Sequence, residues 1–172
     1  MPRYAAFLRG VSPTNAKMPE VKRAFESAGF TDVKTLLSSG NVVFTSSKGS
    51  VAKVQDEVEA ALAAHLTRSF LTFVRPVTWL QDFLASEPYK GFAVPAEGKR
   101  IVTFLRGPPN AKLKFPIQQD GASIFGIRDG AVFSAYVASE QGPAFMALIE
   151  KTFGKSQTTR TWQTLERVVA SG

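Results

Sequence analysis

The stretch with the most chemical potential is Thr158-Thr159-Arg160-Thr161-Trp162, which sets hydroxyls, a guanidinium and an indole just before a helical pattern. Free N–H groups at a helix start attract anions, and an adjacent arginine strengthens that pull. The same residues have a structural reading. Thr161 caps the helix, Trp162 fills the core, and Arg160 bonds the loop. The sequence leaves both open. Arg9 closes the first strand pattern beside Gly10. Its planar fork of donors suits a carboxylate or phosphate, and equally an ion pair or nearby loop carbonyls. Ser39-Gly40-Asn41 is first of all a tight turn, in which glycine supplies a positive φ. Its amide and N–H groups could also line a pocket with Arg9, because strands one and three are expected to be neighbours.

Other chemistries are excluded by composition. The 172 residues contain no cysteine and one histidine, His65. Disulfides, thiolate zinc sites, iron–sulfur clusters and cysteine nucleophiles are therefore ruled out, and a histidine-based triad lacks support. No acidic cluster advertises a bound divalent cation, so neither metal nor cofactor is expected. His65 lies near the apolar stripe of a helix, with no carboxylate or nucleophile evidently placed to orient it. Trp79 and Phe83 read as core. The net charge of +7 is spread evenly, +4 over residues 1–76 and +3 over residues 77–172. That spread serves solubility as readily as it attracts a polyanion. No signal-peptide pattern and no apolar run of about 20 residues is present, so the expectation is a cytoplasmic protein without a membrane partner.

The elements that must position these residues follow from periodicity. Tyr4 to Arg9 alternates as a strand, and Val21, Ala24, Phe25 and Ala28 repeat at helical spacing behind Pro19. Val33 to Leu37 and Val42 to Thr45 form a hairpin. Ser50 caps a helix striped by Val51, Val54, Val58, Leu62 and Leu66, and Leu71 to Arg75 is a fourth strand. This βαββαβ order predicts an antiparallel sheet with strands one and three central and both helices on one face. Thr78-Trp79-Leu80-Gln81 reads as a capping box opening a connector helix. The pattern then recurs more weakly. A strand at Ile101 to Arg106 precedes a stunted helix within Asn110 to Phe115 and a hairpin around Arg128-Asp129-Gly130. A helix opened by Gly142-Pro143, a short strand at Ser156 to Arg160 and a final helix complete it. The expected fold is α+β, two ferredoxin-like βαββαβ halves plus a C-terminal helix. The expected divisions are residues 1–76, a connector at 77–99, and a degenerate half at 100–172.

Phe7-Leu8-Arg9-Gly10, Ser39-Gly40-Asn41-Val42-Val43-Phe44 and Thr158-Thr159-Arg160-Thr161-Trp162, in this order and spacing, resemble the bacterial domain-of-unknown-function 1697 family. The resemblance implies an α+β fold and no established activity. It carries Arg9, Gly40, Asn41, Arg160 and Trp162 over as a shared site. The chain departs from the family pattern at Val11-Ser12-Pro13-Thr14-Asn15, where the family has asparagine, valine and glycines, and at Thr161 and Gln163, where it has asparagines. The first loop thus lacks the glycines that a phosphate cradle would use.

Together these features predict a small anionic or nucleotide-like ligand held between the halves by Arg9, Gly40, Asn41, Thr159, Arg160 and Trp162. The alternatives are single-stranded nucleic acid stacked on Phe7 and Phe44 of an open sheet face, and an enzyme acting on a phosphorylated or acidic substrate. A fourth reading is an assembly module with no ligand. Nothing in the sequence fixes the oligomeric state.

Overall fold

The computed structural model describes residues 2–47, 49–66, 68–137 and 144–172. They form an α+β protein with two antiparallel sheets and five helices. The chain divides into two compact units, residues 1–85 with 166–172 and residues 86–165.

The first unit contains β1 (Arg3–Leu8), α1 (Met18–Ser27), β2 (Thr31–Leu36), β3 (Asn41–Thr45), α2 (Val51–His65), β4 (Thr72–Pro76) and α3 (Val77–Ala85). Its sheet order is β2-β3-β1-β4, with β1 and β3 central as the sequence predicts. Tyr4, Ala6 and Leu8 share one face of β1 and pack with Phe44, with Val21 and Phe25 of α1 and with Val54, Val58 and Leu62 of α2. Both helices therefore cover the same face, because each carries one apolar stripe that only a sheet face can bury. Ser50 caps α2 as expected, its Oγ accepting from Lys53 N at 3.2 Å. The capping box at Thr78 does not form. The helix starts one residue earlier, directly after β4, and places Thr78 in its first turn. Ala5 and Phe7 on the other face of β1 are fully buried too, and α3 packs against β1 and β4.

The second unit contains β5 (Lys99–Leu105), β6 (Ile117–Gln119), β7 (Ala122–Arg128), β8 (Ala131–Tyr136), α4 (Ala144–Phe153) and β9 (Gln157–Thr161). The last helix, α5 (Trp162–Ser171), starts here and contributes its final residues to the first unit. The sheet order is β6-β7-β8-β5-β9. Without β6 this is the order of the first sheet again. The stunted helix expected within Asn110 to Phe115 is not formed. The chain instead runs as loop into edge strand β6, since Pro108, Pro109 and Pro116 leave too few residues to nucleate a helix. The helix start expected at Gly142-Pro143 lies outside the described residues.

One face of this sheet buries Ile101, Leu105, Ile124 and Val132 against Phe145, Leu148 and Ile149 of α4. The opposite face is aromatic. Tyr89 meets Phe125, Phe133 and Trp162 edge-on, with centroids 6.0, 5.8 and 5.4 Å away. A register shift between Ile124 and Gly126 brings Gly126 opposite Phe133. A Cβ on Gly126 would come within 2.9 Å of the Phe133 ring, so this position must be glycine for the ring to lie against the strand. No helix among the described residues is long and apolar enough to cross a membrane.

Candidate functional site

The residues expected to bind fall into two groups. In the first unit, Arg9 follows β1, half-buried, and its backbone N–H donates to Leu71 O at 2.9 Å. Gly40 lies beside it in the fold, its carbonyl accepting from Leu8 N at 2.9 Å. Asn41 pairs with Phe7 across the sheet and is fully buried. Its Nδ2 donates to Leu36 O at 3.1 Å and to Ser39 Oγ at 3.0 Å. These bonds tie the β2–β3 turn, which is the structural role of such an asparagine. Gly40 has φ +87°, and a Cβ there would lie 3.0 Å from the Cβ atoms of both Leu8 and Val11. Gly40→Ala is therefore expected to cost about 1–3 kcal/mol through backbone strain, as a lower urea midpoint with an unchanged slope. A midpoint equal to that of the parent protein would refute this.

In the second unit, Arg160 lies on β9 opposite Val102 and is only 8% exposed. Its Nη1 donates to Thr158 Oγ1 and to the Thr159 carbonyl, both at 2.7 Å. Burial brings its pKa down to about 10, so it stays charged at neutral pH. Thr159 pairs with Thr103. Thr161 caps α5 by accepting from Thr164 N at 3.2 Å. Trp162, the first residue of α5, faces a cleft.

That cleft lies wholly within the second unit and measures about 690 Å³. Tyr89 and Trp162 line it together with Arg100, Thr161 and Gln163 from the strand and helix ends, and Phe92, Val94, Pro95, Ala96 and Gly98 from the loop. The register explains the assembly. Ile101 pairs with Thr161, so Arg100, one residue before Ile101, and Trp162, one residue after Thr161, come together. The Arg100 guanidinium lies 5.0 Å above the Trp162 ring and 5.6 Å from that of Tyr89. The Tyr89 hydroxyl sits 2.7 Å from Ser134 O and 3.0 Å from Ile101 O, donating to them. Burial pushes its pKa up, which keeps it a neutral donor. The aromatic support under Arg100 is therefore anchored to β5 and β8.

Arg100 itself is exposed, and among the described residues its guanidinium has no hydrogen-bond acceptor and no acidic partner. Its charge lies near two aromatic rings, and its N–H donors are open to solvent. Lys99 also lines the cleft, although its Nζ lies 6.0 Å from the Tyr136 ring on the other face of β5. No carboxylate lines the cleft among the described residues. An anion is thus what this arrangement can accept, and a general base is what it lacks.

Of the expected residues only Trp162 reaches this cleft. Tyr89, Phe92 and Arg100 were missed. The signal available was the basic pair Lys99-Arg100 at a strand start, but its partner could be found only from the β5–β9 register.

His65 also differs from expectation. Ser27 Oγ is 2.7 Å from its Nε2, so a nucleophile type does stand beside it. Ser27 also donates to Ala24 O at 2.8 Å, and both residues are exposed at the C-terminal ends of α1 and α2. Helix carbonyl ends repel an oxyanion. The pair links the two helices.

A family described as "Protein of unknown function (DUF1697)" matches residues 1–133. The chain belongs to this family. The family resemblance read from the sequence is thereby confirmed, and the matched residues include Arg9 and Ser39-Gly40-Asn41 but end before the Arg160 region. No curated protein matches this DUF1697 chain. Its fold is similar to that of the conserved bacterial protein SP0830 from Streptococcus pneumoniae, with a TM-score of 0.74 and 17% identity over 99% of this chain and 98% of that one. At that identity the likeness speaks to fold alone.

Proposed function

We propose that this DUF1697 protein binds a small anionic, nucleotide-like ligand, and that the cleft of the second unit holds it. The observation that carries this reading is Arg100, its guanidinium 5.0 Å from the Trp162 ring and 5.6 Å from the Tyr89 ring, lining a 690 Å³ cleft. A guanidinium beside two aromatic rings still presents a planar fork of donors that matches an oxyanion. The capped start of α5 at Thr161 adds N–H groups of the right polarity. The stacked-nucleic-acid reading draws no support from Phe7 and Phe44, which are both fully buried. The two units read as variants of one ferredoxin-like plan, a view supported by the recurring orders β2-β3-β1-β4 and β7-β8-β5-β9.

Thermal unfolding of the full chain with pyrophosphate and with mononucleotides tests the reading. At a ligand concentration one hundred times Kd, stabilisation is about 2.7 kcal/mol. For a chain of this size that raises Tm by roughly 5–10 °C. No rise with any of these anions, at concentrations where chloride at equal ionic strength also gives none, would overturn it.

A further inference from the structure

Anion binding at Arg100 leaves most of the cleft unassigned. A phosphate on the guanidinium would fill only part of the 690 Å³. The loop contributes an apolar part of the lining, with Phe92, Val94 and Pro95. Phe92 is one of three large exposed hydrophobic side chains among the described residues, 39% exposed. It does not hang free. Its ring sits 4.7 Å from that of Phe125 and 5.9 Å from that of Phe133, and its backbone N–H donates to Tyr89 O at 3.0 Å. One side of the ring is thus fixed by the sheet and part of it remains open in the cleft. A positioned, partly uncovered aromatic ring is a platform for a planar group, since stacking recovers the apolar area it leaves in water. The loop holding it is braced at its far end, where Gly98 N donates to Pro95 O at 2.8 Å. The cleft therefore offers two recognition elements of different chemistry, a guanidinium and a positioned aromatic ring. Its volume falls within the range that takes a drug-sized molecule.

We infer that the ligand is a free mononucleotide, its phosphate on Arg100 and its base stacked on Phe92. This rests on the anion-binding reading and narrows it to a chemical class. The role of Phe92 goes beyond charge, because a ring platform gives nothing to a bare anion.

Isothermal titration of the full chain with AMP, GMP, inorganic phosphate and adenosine separates the two ideas. AMP or GMP is expected to bind at least about tenfold more tightly than phosphate, a gain typical of one stacked base. Phe92→Ala should remove most of that gain and leave phosphate affinity unchanged, while Phe92→Tyr should keep it. A single cooperative unfolding transition in both variants, with Tm lowered only modestly for Phe92→Ala, shows that the fold is intact. Equal affinity for phosphate and AMP, or an indifferent Phe92→Ala variant, overturns the base assignment and leaves anion binding standing. Absence of binding by phosphate and nucleotides alike sinks both. A short 5′-phosphorylated oligonucleotide that binds more tightly than AMP would overturn the free mononucleotide in favour of a strand end.

Discussion

Phe44→Ala is expected to remove about 3–5 kcal/mol of stability, the range for truncating a fully buried aromatic residue. Phe44 is completely buried on β3 and is the hub of the first core. Its ring centroid lies 4.9 Å from that of Phe30, 5.1 Å from that of Phe25 and 5.9 Å from that of Tyr4. Those partners come from β1, α1 and the residue before β2. No single neighbour can move to close the void, because each is held by a different element. Folded domains have about 5–15 kcal/mol in all. The variant should therefore unfold at a much lower urea concentration, or be recovered insoluble. Phe44→Leu keeps most of the volume and should lose well under half as much. Equilibrium urea unfolding followed by far-UV circular dichroism decides it. A loss below about 1.5 kcal/mol would mean that the core relaxes around the void.

The second large effect concerns the cleft. Arg100→Ala should weaken binding of pyrophosphate or a mononucleotide by roughly 10- to 150-fold. That range corresponds to about 1.5–3 kcal/mol for hydrogen bonds from a charged donor. Tm of the unliganded protein should barely change, since Arg100 is exposed and its ring contacts are worth little in water. Arg100→Lys should fall between the two. It keeps the charge but loses the planar fork of donors beside Trp162. Lys99→Ala should have a smaller effect, because Nζ lies over Tyr136. Titration calorimetry at fixed ionic strength measures all three. If Arg100→Ala binds as the parent does, the ligand is held elsewhere. If Lys99→Ala is the more damaging variant, the charge at the cleft mouth has been assigned to the wrong residue.

Much of the architecture was determined by sequence alone, because it follows from local periodicity. The stripe Val54, Val58, Leu62 can be buried only as one face of a helix, and Tyr4, Ala6, Leu8 only as one face of a strand. The Arg128-Asp129-Gly130 turn is equally local, with Asp129 and Gly130 both at positive φ. The family was readable for a related reason, since it is carried by short strings whose order survives without knowledge of contacts. The helix expected before Pro116 failed for a reason also local in part. Prolines shortened the segment to loop, and pairing with β7 made the residues just after Pro116 the edge strand β6.

Tertiary structure alone decided the candidate site. Arg9, Gly40 and Asn41 lie close together because β1 and β3 pair, yet that same pairing buries Asn41 and commits its amide to the turn. Arg160 is conspicuous in sequence, and its Nη1 is engaged within its own strand. Arg100 is inconspicuous in sequence, 62 residues before Trp162, and is brought onto that indole by the register of β5 with β9. Sequence determines which residues face a core, because burial depends on periods of two and 3.6 residues. It does not determine which distant side chains meet. That depends on strand order and register, which are set by the packing of the whole sheet.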